Sequence, residues 1–366
     1  MIFSEDLFKT LKKNKIDFFS GVPDSILKSF LNTIENLPKN KNLITVNEGS
    51  AISFGIGYYL SKSKIPCVYF QNSGLSNAMN PLISIANKKV YSIPMVLLIG
   101  WRGSPNKQDE PQHIAKGRIT TDLLKLLKID YKVLRKKSDL KFIKKLINKS
   151  KKENKITAFL IEKGTLKNKK KFTRKIDKSL IKRYNFISKF LKLLPKKSKI
   201  VSTTGYTSRE LMKLSNLETI KKVQSFYMVG GMGHSASVAA GFAMHSSKKI
   251  FCLDGDGSIL MHLGSLRTIG FLNNKNFKHI VLNNNSHESV GGQPTNADKI
   301  DFKNLSKSLG YKNYFFIKNK KNITKTLKQF NKSKGPGLLE VKIRSETIEN
   351  LPRPTNLDKI KKNFLI

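Results

Sequence analysis

Residues 253–295 read LDGDGSILMHLGSLRTIGFLNNKNFKHIVLNNNSHESVGGQPT. An apolar run, Lys249 to Leu253, ends in Asp254-Gly255-Asp256-Gly257-Ser258. A helical pattern follows, and a second apolar run, His279 to Leu282, ends in Asn283-Asn284-Asn285. Two strand ends therefore each present a short polar cluster, with room between them for one crossover helix. In a parallel sheet such ends lie side by side, where open α/β sheets bind ligands. Asp256 supplies a carboxylate oxygen and Asn284 an amide oxygen, which suit a hard cation such as Mg2+ carrying a phosphorylated ligand. Asp-Gly and Asn-Asn pairs are also ordinary turn chemistry. Asp254-x-Asp256-Gly257 could open a calcium loop, but no Glu stands where the last ligand of such a loop belongs.

The spacing separates these readings. Residues 258 through 282, which is 25 residues, divide Gly257 from Asn283. GDG, that gap and then NN resemble the cofactor motif of the thiamine diphosphate-dependent decarboxylases. The run HESVGGQPT, His287 to Thr295, is similar to the phosphonopyruvate decarboxylases, with the sulfopyruvate decarboxylases as near relatives. The likeness spans nearly the whole chain.

Composition bounds the rest. A chain of 366 residues holds about two domains, each able to bury a core. The formal net charge is +44. Such a balance normally points to nucleic acid or an anionic membrane. Here the lysines are spread over most expected elements, beside abundant Asn and Ile, and no helix-turn-helix, zinc-finger or RNP signature occurs. Nucleic-acid binding is therefore not expected as the primary function, and a basic field would still draw in an anionic small substrate. Cys67 and Cys252 sit in apolar runs and read as buried small hydrophobes. The N-terminal MIFSEDLFKTLKKN carries charges where a signal peptide needs an apolar core, and no run approaches the roughly 20 apolar residues of a membrane span. A cytoplasmic protein with no membrane partner is expected.

Along the chain, other polar strand ends gather. Gly21-Val22-Pro23-Asp24 follows a short strand, and Asp24 sits at the N-terminus of the next helix, where it reads as a plain helix cap. Glu48 opens a Gly-rich helix, an expensive place for a charge or a partner for the helix dipole. Asn72-Ser73-Gly74 ends another strand; Ser73 and Asn77 read as ligand contacts or as a simple turn. A loop with few regular signals holds the only Trp, then Arg102, Asp109, Glu110 and His113. Arg102 could hold an anionic tail, because a guanidinium matches phosphonate or sulfonate oxygens, or it could be a solvated surface residue. A segment rich in Lys, Asn and Thr, 164–178, reads as an exposed linker. Beyond it lie Thr203-Thr204-Gly205 and a turn, Gly230-Gly231-Met232-Gly233-His234, leading into a helix of small residues. Such a helix N-terminus favours phosphate, although many Gly-rich turns are only turns.

The resemblance makes these roles specific. It implies an α/β chain of two thiamine diphosphate-binding-fold domains, each a mostly parallel sheet with helices on both faces. The pyrimidine-binding domain would be 1–163 and the diphosphate- and Mg2+-binding domain 179–366. It implies thiamine diphosphate and Mg2+ as cofactors. Glu48 would hold the aminopyrimidine ring, with Asp24 and His113 as proton-transfer candidates. Cofactor contacts would come from Ser73, Thr204, Gly205, Gly230, Met232, Gly233, His234, Gly255, Asp256, Gly257, Ser258, Asn284 and Ser286. Asp256, Asn284 and the Ser286 carbonyl would ligate the metal, although many relatives carry Gly at the position of Ser286. Arg102 and His287 would face the substrate, and a surface role for His287 stays open. The implied reaction takes carbon dioxide from 3-phosphonopyruvate and releases phosphonoacetaldehyde, an intermediate of phosphonate biosynthesis. Sulfopyruvate is the rival small anionic 2-oxo acid. The resemblance also implies a homodimer or larger homo-oligomer, with the active site at the chain interface. A rival from another class is a basic nucleic-acid-binding protein on a degenerate scaffold, and the intact GDG, NN and Glu48 speak against it. The polar tail to Ile366 is expected to lie on a neighbour.

Overall fold

The computed structural model describes residues 1–105, 107–170, 172–174, 176–217 and 223–366. Two compact units result, Met1–Thr173 and Arg174–Ile366. Lys171 and Lys175 of the expected linker lie outside the described residues.

The first unit holds a six-stranded sheet in the order Asn42–Ile44, Phe19–Gly21, Cys67–Gln71, Met95–Trp101, Ile156–Glu162, Asp130–Leu134. Every pairing is parallel. Its central strands are largely apolar because helices cover both faces. Cys67 and Tyr69 pack into one layer with Leu7, Phe30 and Ile143. Val68 and Phe70, one residue out of step, pack into the other with Ile52, Leu75 and Leu124. This is the period-2 alternation of a strand buried on both sides.

The second unit repeats the plan. Its order is Gln224–Tyr227, Lys199–Ser202, Ile250–Gly255, Phe277–Asn283, Gly337–Lys342, Asn313–Ile317, again all parallel. With each sheet's strands numbered 1 to 6 in chain order, both read 2-1-3-4-6-5. In each, the order reverses between the first and third strands, which opens a crevice at their carboxyl ends. Both cysteines are buried and unpaired, as their apolar surroundings suggested. No helix among the described residues is long and apolar enough to cross a membrane.

Three expectations need correction. Leu166–Lys167, inside the expected linker, pairs in parallel with Ile2–Phe3, and Asn168 donates to the Ser29 carbonyl at 2.7 Å. The wholly buried Ile2 needs this cover, so that stretch belongs to the first unit. Helix Pro111–Leu126 takes in the end of the loop expected to hold His113. Pro111 stands in its first turn, where the missing N–H would have had no partner, so His113 is helical and not in a loop. The C-terminal tail forms helix Leu357–Leu365 and lies on its own unit. Phe364 packs against Phe242 at 5.4 Å and Phe226 at 5.7 Å, because an apolar side chain beside a partly covered layer is buried by folding back.

Candidate active site

In the first unit the site is built on three adjacent strand ends. Asp24 follows strand Phe19–Gly21, is wholly buried, and uses both carboxylate oxygens. Oδ2 accepts from the backbone of Ile26 at 3.1 Å and Leu27 at 3.2 Å, while Oδ1 accepts from Gln71 Nε2 at 2.6 Å. It is both a cap and a buried acid. Burial raises its pKa, against the hydrogen bonds and the nearby Arg102. Ser73 donates to Gln71 Oε1 at 2.8 Å, which makes a Ser73–Gln71–Asp24 chain. Gln71 had no assigned role; its only signal was its place at a strand end.

Glu48 is the first residue of helix Glu48–Lys62 and is buried. Oε2 accepts from Asn77 Nδ2 at 2.9 Å. Burial raises its pKa. Gly74 makes this placement possible: a Cβ there would sit 2.2 Å from Glu48 Oε1. The turn Asn72–Gly74 therefore wraps directly over the carboxyl group.

Arg102 is neither free nor solvated. Nε donates to Asp109 Oδ2 at 2.6 Å, and Nη2 to the other oxygen of the same carboxylate. Nη1 reaches Ser25 Oγ at 3.3 Å. The Asn72 side chain bonds both the N–H and the carbonyl of Arg102, which fixes the backbone beneath the pair. Asp109 was missed because its partner lies in a stretch without regular pattern. Asp109, Glu110 and His113 bring ligand-type atoms within 4.8 Å of one another. Burial and then Arg102 push His113 down to about 4, so its ring is neutral near pH 7. Trp101 donates to the Gly117 carbonyl at 3.0 Å from inside the core and is a strut.

In the second unit the residues on either side of the two polar ends separate by environment. Asp254 points into the core: Oδ1 accepts from Gly255 N at 2.9 Å, and Oδ2 faces His279 Nε2 at 3.4 Å. Asn283 also points inward, donating to Glu340 at 2.8 Å. Asp256 and Asn284 remain at the strand ends. Asp256 is buried at the start of helix Asp256–Met261 and accepts from the Thr295 hydroxyl. Burial lifts its carboxyl to about 6, and no Lys or Arg among the described residues pairs with it. A buried carboxylate with no cationic partner among the described residues, bonded to the backbone of Asn284, fits a ligand for a hard divalent cation. Asn284 Oδ1 accepts from Ser286 N at 3.1 Å.

Ser258, an expected cofactor contact, is engaged within the chain. Its oxygen accepts from Gly233 N and from Thr203 Oγ1, each at 3.0 Å, and its hydroxyl also bonds Asp254. One hydroxyl has one donor and two acceptor sites, so this one ties the Gly-rich turn to the strand end. Gly233 has φ +90°, open to glycine but costly for other residues. His234 is exposed and stacks on His262 at 4.4 Å. His262 escaped notice in the sequence for want of a motif around it. Gly230 and Met232 lie half-buried on the same turn, and Thr204-Gly205 lead into helix Tyr206–Ser215. His287 is buried, so its surface reading is set aside. Its ring lies where a Cβ on Gly257 would meet it at 3.0 Å, and its carbonyl accepts from Val290, Gly291 and Gly292.

Comparison with known proteins places these halves. Residues 1–123 match the thiamine pyrophosphate enzyme N-terminal TPP binding domain, and residues 203–341 the C-terminal TPP binding domain. A phosphonopyruvate decarboxylase of Streptomyces viridochromogenes is 32% identical, covering 97% of this chain and 91% of that protein. One of Streptomyces hygroscopicus is 31% identical, covering 97% and 90%. A sulfopyruvate decarboxylase of Methanosarcina acetivorans is 24% identical, covering 89% and 87%. The chain belongs to the phosphonopyruvate decarboxylase family of thiamine diphosphate-dependent decarboxylases.

Proposed function

We propose that this carboxy-lyase removes carbon dioxide from 3-phosphonopyruvate and releases phosphonoacetaldehyde. The observation that carries the reading is the likeness to two phosphonopyruvate decarboxylases over 97% of the chain. Thiamine diphosphate, when bound, supplies the electron sink for the pair left behind by carbon dioxide. Asp256, Asn284 and the Ser286 carbonyl would hold Mg2+. Thr204, Gly205, Gly230, Met232, Gly233 and His234 would hold the cofactor in the second unit, and Glu48 and Ser73 in the first. Ser258 would act through the Gly233 turn it fastens.

The chain's own groups divide the proton work. Glu48 is buried with its pKa raised, so it holds or returns a proton at low cost. Asp24 is raised and His113 is lowered, which supports Asp24 as the donor and neutral His113 as the acceptor. Arg102 is the candidate for the phosphonate tail, with Nη1 as the edge that Asp109 leaves to it. His287, buried against Gly257, would act on the substrate only through the shape of the metal loop.

Exposed apolar residues on the helices that start at the site support a homo-oligomer as the working form. Phe54 and Leu60 on one helix, and Val238 and Met244 on another, are more than a third exposed. Gly57 and Gly241 lie inside those helices with no neighbour that would meet a Cβ. Glycine in a helix interior costs about 1 kcal/mol, and close approach of a second copy would account for it. In the proposed assembly each site takes Glu48 from one protomer and Asp256 from another.

The second reading is sulfopyruvate decarboxylation, supported by the weaker full-length likeness to such an enzyme. Aldehyde release with thiamine diphosphate and Mg2+ from phosphonopyruvate, sulfopyruvate and pyruvate tests both. Preference for phosphonopyruvate is expected; preference for sulfopyruvate would replace the substrate. No turnover of any of them would refute the proposed function.

A further inference from the structure

Asn284 has an amide with two different edges, and only Oδ1 can ligate a hard cation. Its orientation is settled by Glu288, four residues on. Asn284 Nδ2 donates to Glu288 Oε2 at 2.9 Å. An ionised carboxylate only accepts, so the nitrogen edge must face Glu288 and Oδ1 must face away. The bond from Ser286 N to Oδ1 at 3.1 Å agrees.

Glu288 is itself immobilised. Arg183 Nη2 donates to the same Oε2. Arg183 Nη1 donates to Glu210 Oε1 at 3.0 Å, and Thr347 Oγ1 donates to that oxygen at 2.9 Å. Arg183 is 4% exposed and Glu210 is wholly buried. A buried guanidinium between two carboxylates is an inefficient way to stabilise a fold, because desolvation offsets much of the attraction. It is an effective way to fix one oxygen atom. We infer that Glu288 is a positioning residue for the metal. It selects the rotamer and the flip of Asn284 that present Oδ1, and Arg183 holds Glu288 in place. Outer partners of this kind commonly tune metal affinity. The inference rests on the reading of Asp256, Asn284 and Ser286 as Mg2+ ligands. It also gives the HESVGGQPT run a task other than substrate choice.

The test is calorimetric titration of the full-length protein with Mg2+ in the presence of thiamine diphosphate, beside the Tm of the metal-free protein. Glu288→Ala should raise the Mg2+ Kd roughly 10- to 100-fold. At saturating Mg2+ its kcat should stay within about twofold of the parent. Glu288→Gln keeps an acceptor oxygen but can also turn its NH2 toward Asn284, so its Kd should fall between those of the parent and Glu288→Ala. Glu288→Asp keeps the charge but shortens the reach; it covers the case in which Glu288→Ala does not fold, and its Kd should rise with little change in Tm. Thr347→Val, at the far end of the network, should lower Tm and leave the Kd unchanged. A lower Tm with parental Mg2+ affinity in both Glu288→Ala and Glu288→Asp would overturn the inference. Asp256→Ala separates the two levels. If it too binds Mg2+ normally, the metal site itself is wrong; if it loses Mg2+ while the Glu288 variants do not, only the positioning role fails.

Discussion

Glu48 and Asp256 are both carboxyl groups buried at the start of a helix, and burial raises both pKa values. Their partners set them apart. Glu48 accepts from one amide, Asn77, under a glycine turn, and suits a proton that comes and goes. Asp256 accepts from the Thr295 hydroxyl and from backbone N–H groups, among them that of Asn284, with no Lys or Arg partner among the described residues, and suits an ion. Glu48→Gln should therefore keep Mg2+ and cofactor binding by calorimetry yet lose at least about 10²-fold in turnover. Full activity in that variant would remove Glu48 from the chemistry. His113 gives a pH prediction. Its folded pKa, about 4, lies below the unfolded value near 6.5. Between those limits the unfolded chain takes up a proton that the folded chain refuses, so acid lowers stability across that window. Above about pH 6.5 this loss is absent. Thermal melts from pH 7 to 5 should show a smaller fall for His113→Asn than for the parent. Equal falls would place the ring in ordinary solvent. Such environments were invisible in the sequence: Arg102 and Asp109 stand seven residues apart, but nothing local said that they pair.

Among the elements, the C-terminal helix Leu357–Leu365 best shows how context overrides pattern. Its sequence, LDKIKKNFL, is mostly polar, yet Phe364 closes a layer formed by Phe226, Phe242 and Ala239. Removing a buried phenyl ring costs about 3 kcal/mol or more. Phe364→Ala should lower the urea midpoint by that equivalent, while a surface change such as Lys361→Ala should leave it in place. An unchanged midpoint for Phe364→Ala would mean the helix adds no stability. Helix Pro111–Leu126 makes the companion point. It carries His113 into its first turn, so the group expected on a loop without regular structure is held by backbone hydrogen bonds.

For the whole molecule, the duplicated 2-1-3-4-6-5 sheets mean that each unit offers its own set of strand ends. One set carries Glu48 and Asp24, the other Asp256 and Asn284. If sites form between copies, mixed subunits of Glu48→Gln and Asp256→Ala should regain activity that neither has alone. Random mixing in a dimer would restore about a quarter of the parental rate. Absence of any rescue, with mixed oligomers shown by size and mass, would refute the interchain site. The net charge of +44 enters at this scale as a field that favours anionic substrates, and kcat/KM for an anionic substrate should fall as salt rises.

The sequence by itself determined the two α/β units, the crossover between GDG and NN, and the residue types at each strand end. Those features follow from local chemistry: strand periodicity, turn residues and the fixed length of one crossover. It also marked Asp256 and Asn284 by their spacing, and Glu48 as a charge opening a Gly-rich helix, whose role the resemblance implied. Only the tertiary structure decided that Asp254 and Asn283 turn into the core, and that Ser258 fastens a turn. The same holds for Arg183, which reaches Glu288 across 105 residues. Hydrogen bonds and ion pairs between distant segments depend on which side chains the sheet order brings together, and no local pattern encodes that.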